Sequence, residues 1–276
     1  MKSSLKLRII TAVICVPLLI LVLLSPKPVV TIVVMAAALV GLYEYYNAVG
    51  LSKHKNICIM GYLASLVISM GANFSTAISI ILVFLYVMAL FVLMLLSNKS
   101  ITIVHLSTLI FGLIYIPYFL SHIIYIRSMD YGNFFIWLVF IGAFSADTCA
   151  YFTGKLLGKH KLCPNISPNK TVEGAIGGIL GGGITFVIFG LIVNSFFGNM
   201  LCGMHFDILR LFILGLTTAL FSEIGDLVAS SIKRQFNIKD FGNVLPGHGG
   251  ILDRCDSIII VAPTIFLFLY TVPVLV

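Results

Sequence analysis

The sequence predicts an all-α, polytopic membrane protein of about nine transmembrane helices, and three observations carry that prediction. Of its 276 residues 60% are hydrophobic and 10% charged, against about 25% charged in a soluble globular domain, and the mean hydropathy is +1.12. The apolar residues fall in runs of roughly 20, the length that crosses a bilayer core. The basic residues collect in alternate short loops between those runs, as the positive-inside rule requires.

Taken in order, Lys2, Lys6 and Arg8 precede the first run, residues 9–24. Ser25-Pro26-Lys27-Pro28 follows instead of a small-x-small cleavage site, so the run is expected to remain a membrane helix and not to be removed as a signal peptide. Further spans are expected at 29–49, 57–74, 77–96, 103–125, 134–152, 174–197, 209–229 and 257–275. With a cytoplasmic N-terminus, fourteen of the 17 Lys and Arg fall on the inside, among them Lys53, Lys55, Lys99, Lys155, Lys159 and Lys161. Only Lys27, Arg127 and Arg210 fall outside, and one span more or fewer would scatter the basic loops across both faces.

The chain therefore reads as one membrane domain, 1–276, in an inner or cell membrane. Residues 1–133 form an N-terminal helical scaffold, and 134–276 carry the catalytic helices and cytoplasmic loops; the C-terminus lies outside. The net charge of +7 does not point to nucleic acid, because the basic residues sit in loops rather than along an exposed face. Six cysteines without a C-x-x-C pair read as free thiols. Five of the six histidines are scattered and read as packed or interfacial side chains; His248 has suggestive neighbours.

Acidic residues locate the chemistry. Only Glu44 and Asp130 precede residue 133, and five of the ten acids lie between Ser222 and Asp256. Glu44, in Leu42-Tyr43-Glu44-Tyr45-Tyr46, sits where an aromatic belt is expected and reads as a snorkelling or capping carboxylate. Asp147 lies one to two turns inside its span, where an ionised carboxylate costs up to roughly 2.5 to 3.5 kcal/mol. It is expected to line a polar cavity. Ser167-Pro168 reads as a helix start, Ser as cap and Pro at the first position, which would aim a helix amino end and Lys170 at phosphate. Gly174, Gly177, Gly178, Gly181 and Gly182 read as a close helix-packing face.

Glu223, Asp226, Ser230 and Lys233 are three, four and three residues apart, which aligns them on one helix face. Glu223, the deepest, also reads as a partner for a neighbouring helix. The loop beyond holds Lys239-Asp240 and three glycines around His248, where backbone can approach a ligand closely. The last helix opens at Asp253-Arg254-Cys255-Asp256. Its two carboxylates read as caps, or with Asp226 as oxygen ligands for Mg²⁺, an ion bound by one or two carboxylates plus substrate phosphates.

These residues resemble the integral-membrane phosphatidate cytidylyltransferases, also called CDP-diacylglycerol synthases. The resemblance is carried over about 27 residues by Ser230, Ile232, Lys233-Arg234, Lys239-Asp240, Gly242, Leu245, Pro246, His248-Gly249-Gly250, Ile251, Asp253-Arg254 and Asp256. Upstream, Asp147-Thr148, Ala150-Tyr151-Phe152 and Ser167-Pro168-x-Lys170-Thr171-x-Glu173-Gly174 also match. Cys255 and Cys149 depart from the family's usual residues without removing a polar group.

The resemblance implies transfer of a cytidylyl group from CTP to phosphatidic acid within the lipid bilayer. Mg²⁺ would be held by Asp226, Asp253 and Asp256, with a second cation such as K⁺; a homodimer is left open. Asp226, Lys233, Arg234, Lys239, Asp240, His248, Asp253 and Arg254 are the expected catalytic residues. Asp147, Ser167, Lys170, Thr171, Glu173, Ser230, Gly249 and Gly250 are expected to bind substrate. The rival class is a transporter or flippase for an anionic, phosphate-bearing substrate, which would favour broken helices in paired repeats; the sequence has none.

Overall fold

In hydrocarbon a backbone of this length can satisfy its polar groups as helix, and the computed structural model of the chain is helical through most of each apolar run. It describes residues 2–97, 101–245, 247 and 249–276. Lys99, Pro246 and His248 lie outside the described residues. The helices are α1 Lys2–Leu24, α2 Lys27–Ala48, α3 Lys55–Gly71, α4 Thr76–Leu96, α5 Ile103–Leu113, α6 Phe119–Ser128, α7 Gly132–Leu157, α8 Val172–Phe196, α9 Ile208–Gln235 and α10 Leu252–Thr271. Six stretches among the described residues are long and apolar enough to span a membrane: α2, α4, Ile103–Ser128, α7, α8 and α9.

The chain divides into two compact units. One comprises residues up to 129 together with 235–255. Its most buried stretch is Ile103–Ser128, in which a π-helical turn at Ile114–Tyr118 joins α5 to α6. Pro117 in that turn lacks the N–H an α-helix would need there, and a one-residue widening absorbs the missing bond. α2 packs beside it, where a Cβ at Gly112 would meet Tyr45 and Leu42 of α2, and α2 buries Val34, Ala38 and Tyr46 as well. α4, by contrast, buries Tyr86 and Leu90 but exposes Phe84, Leu85, Phe91 and Leu95, a surface suited to lipid.

The other unit comprises residues 130–234 and 256–276. The glycines of α8 do what their spacing predicts. A Cβ at Gly174 or Gly178 would sit 2.9 and 3.0 Å from the carbonyls of Ala150 and Ala146 on α7, and one at Gly182 would sit 2.6 Å from Ala219 on α9. α9 and α10 approach as closely at Gly225, where a Cβ would lie 2.9 Å from the Asp256 carbonyl. All six cysteines are free.

Two expectations are corrected here. Residues 167–171 are not the start of a helix but a strand, β2 Ser167–Thr171, paired antiparallel with β1 Lys161–Cys163. Pro164 is followed by a turn in which Ile166 N–H donates to the Cys163 carbonyl at 3.1 Å, and Pro168 disfavours helix for Ser167 before it. The final apolar run also stops being helical at Thr271. Its tail forms an antiparallel bridge between Leu275 and Phe206, because Pro273 has no N–H with which to continue a helix.

Candidate active site

The hairpin delivers Lys170 to α9. Thr171, extended at φ −122° and ψ 154°, caps α8 by accepting the Gly174 N–H, so α8 begins five residues beyond the expected Ser167 cap. Glu173 in its first turn faces back to the preceding segment. Its carboxylate lies 2.6 Å from His160 Nδ1 and accepts the N–H groups of Lys159 and His160. An acid suits the positive end of a helix, so this contact closes the base of the hairpin. Ser167 is half-buried and paired with Cys163.

From β2 the Lys170 ammonium reaches two carboxylates on α9, Glu223 at 2.8 Å and Asp226 at 2.7 Å. They are three residues apart on one helix face, as their spacing requires. The Glu223 side chain is 6% exposed and that of Lys170 20%. Burial opposes the lysine's charge, but the Asp226 carboxylate and the hydrogen bonds the ammonium donates to Asp226 and Glu223 outweigh it and hold the ammonium above the ordinary lysine range.

Asp147, exposed on α7, lies within electrostatic reach of Asp226, Asp256, Lys170 and Glu223. It lines a cavity of about 350 Å³ together with Tyr151, Lys155, Lys170, Thr171 and Glu223. α7 continues to Leu157, so Asp147 stands deeper from its helix end than the expected span boundary implied.

Two carboxylates thus hold the Lys170 ammonium, and that of Asp147 lies within electrostatic reach of it. One oxygen, Glu223 Oε1, is buried and has no hydrogen-bond partner among the described residues. Such a donor set fits a cation. Among the described residues no three acid, histidine or cysteine side chains converge to hold one unaided, so its remaining ligands would be water or phosphate oxygens, as Mg²⁺ prefers.

Ser230 and Lys233 are half-buried further along α9 and Arg234 is exposed, its Nε donating to the Ile166 carbonyl at 3.4 Å.

The other expected residues belong to the unit that contains residues 235–255. Lys239, Asp240 and Arg254 are exposed, and Gly250 and Asp253 are buried. Gly249 takes φ +82°, a left-handed conformation easy for glycine, and its carbonyl accepts the Leu245 N–H at 2.9 Å to close the turn. Asp253 Oδ2 accepts the N–H groups of Phe241 at 2.8 Å and Gly250 at 3.0 Å, tying the two ends of the loop together. Asp256 Oδ1 accepts the Ser257 N–H at 2.9 Å.

Two residues carry more than their sequence reading suggested. His160, read as an interfacial side chain, anchors Glu173; its position beside an acid-bearing helix start was the available signal. Glu44 caps, but it does not snorkel. It is 2% exposed and accepts the N–H groups of Ile251 and Leu252 at 3.0 and 2.8 Å.

The model of the cytidylyltransferase family matches residues 6–272. The chain belongs to the cytidylyltransferase family. Among members of that family, a phosphatidate cytidylyltransferase from Bacillus subtilis is 33% identical over 275 residues, covering 96% of this chain and 98% of its own. Another, from Rickettsia bellii, is 45% identical over 163 residues, 57% of this chain and 67% of the relative. A third, from Staphylococcus epidermidis, is 43% identical over 138 residues, half of each chain. This cytidylyltransferase therefore shares the family's extent from α1 to α10, and the lysine–carboxylate cluster lies within the matched region.

Proposed function

We propose that this cytidylyltransferase joins CTP to phosphatidic acid, releasing pyrophosphate and leaving CDP-diacylglycerol in the membrane. The observation that carries the reading is the chain-long relationship to an enzyme named phosphatidate cytidylyltransferase. The proposed setting is a bacterial inner membrane crossed nine times, with the N-terminus and the polar loops cytoplasmic and the C-terminus outside. α1, α3 and α10 supply the three spans beyond the six stretches named above.

In the proposed reaction a phosphate oxygen of phosphatidic acid attacks the α-phosphorus of CTP in line. The new P–O bond forms as the bond to the bridging oxygen of the β-phosphate breaks, and pyrophosphate carries away the electron pair. The chain's task is positioning and charge neutralisation. Lys233, Arg234, Lys239 and Arg254 bind phosphate oxygens, and Ser230 and His248 donate hydrogen bonds to them. Lys170, held by Glu223 and Asp226, supplies a fixed positive charge at the cavity wall. Asp226, Asp253 and Asp256 are the residues that would hold Mg²⁺, which when bound offsets the charge of the reacting phosphates. A second cation such as K⁺ is part of the same proposal, implied by the family resemblance.

The test is to incubate the purified protein with labelled CTP, Mg²⁺ and phosphatidic acid. The expected product is a lipid-soluble nucleotide whose formation stops when Mg²⁺ is chelated. Uptake of a phosphate-bearing substrate by vesicles without any such product would favour a transporter instead.

A further inference from the structure

Glu44 is an acid in an apolar helix, and a carboxylate so placed persists where hydrogen-bond donors replace its water. Its donors lie more than 200 positions away: Ile251 N–H to Oε1 at 3.0 Å and Leu252 N–H to Oε2 at 2.8 Å, at the amino end of α10. The receiving surface is shaped around it. A Cβ at Gly242 or at Gly250 would collide with the carboxylate, and at both glycines the three nearest atoms it would meet all belong to Glu44. One turn earlier on α2, Gly41 admits Leu252, whose side chain would lie 3.6 Å from a Cβ there.

The consequence reaches beyond one cap. Asp253 takes the N–H groups of Phe241 and Gly250, and Glu44 takes the next two, of Ile251 and Leu252. Three consecutive amides at the start of α10 are thereby consumed by carboxylates. These three amides are therefore not available to a substrate. The placement of Asp253 depends in turn on Gly250, which is pressed against Glu44. A plain helix cap would need neither of the two glycines.

We propose that Glu44 is a positioning residue for the reaction, holding Gly242 and residues 249–253 in the conformation from which Lys239, Asp240 and Asp253 act. This rests on the reading that the loop belongs to the active site. Both oxygens are needed. Glutamine would accept one N–H and turn its own NH₂ donor toward the other.

The experiment compares wild type with Glu44→Ala, Glu44→Gln, Gly242→Ala and the double variant Glu44→Ala/Gly242→Ala. Each is purified as a monodisperse species, and its kcat, KM and melting temperature are measured. The expected result is a loss in kcat of at least tenfold for Glu44→Ala and Gly242→Ala, with a smaller loss for Glu44→Gln. The double variant should be no worse than Glu44→Ala, since the added Cβ collides with the carboxylate. Wild-type kcat in a Glu44→Ala protein with a lowered melting temperature would reduce Glu44 to a structural support and overturn the proposal. So would strictly additive losses in the double variant. A wild type that makes no product defeats the proposed reaction instead. The pinning is then decided by amide exchange at Ile251 and Leu252, protected in wild type and opened in Glu44→Ala if the proposal holds.

Discussion

The ammonium of Lys170 and the carboxylate of Glu223 meet at 2.8 Å across 53 positions of sequence, one from a short hairpin and the other from the interior face of α9. A buried pair of this kind adds little over a well-packed apolar pair, yet removing one partner strands the other. The pair is thus better suited to placing charge beside a cavity than to stabilising the fold.

Removing Lys170 should therefore cost both activity and stability. Lys170→Ala is expected to lower kcat/KM by at least about tenfold, roughly 1.4 kcal/mol, and to destabilise the protein by leaving Glu223 uncompensated. Adding Glu223→Gln should recover much of the melting temperature and none of the activity. Near-normal kinetics in Lys170→Ala would remove the hairpin from the site.

Asp226→Asn keeps the size of the side chain and removes its charge. It is expected to retain less than about a tenth of the wild-type rate in protein that still elutes as a single species, because a charge lost from a phosphoryl-transfer site costs several kcal/mol. Turnover above that level would withdraw Asp226 as a cation ligand.

The raised pKa of Lys170 has a definite sign. A lysine held above its unfolded value contributes stability that is complete below the ordinary lysine pKa of about 10.4 and is lost as pH rises through the higher folded value. Thermal unfolding followed from about pH 7 to 9 should show no loss attributable to this ammonium. A midpoint falling in that window for wild type but not for Lys170→Met would contradict the arrangement.

Capping tests where α8 begins. Thr171→Ala should destabilise by about 1 kcal/mol through loss of the bond from Gly174, whereas Ser167→Ala, four residues earlier and in a strand, should leave the melting temperature nearly unchanged. The reverse order would place the helix start back at Ser167-Pro168.

The proposed nine crossings put the two ends of the chain on opposite sides of the membrane. A reporter fused before Met1 should read as cytoplasmic and one after Val276 as external; readings on the same side would mean that one helix does not cross.

The helices could be read from the chain because a bilayer leaves an apolar run few alternatives, and each run carries its own length and flanking charges. The close packing of α8 was equally legible, since glycines four apart lie on one helix face whatever the neighbour. The Glu223 and Asp226 face of α9 followed from the same periodicity. These properties are local, set by residues within a turn or two of one another.

What local pattern could not supply was the choice between competing uses of the same residues. Ser167-Pro168 suits a helix start and a strand alike, and the pairing with Lys161–Cys163 settled it as strand. Glu44 could snorkel or cap, and its donors stand 207 and 208 positions away. Lys170 could face solvent, but its partners lie on a helix that follows only after α8 has intervened. A buried charge must find a partner wherever the chain's packing brings one. That partner is a property of the folded molecule, because the free energy of the pairing exists only once water has been excluded from both groups.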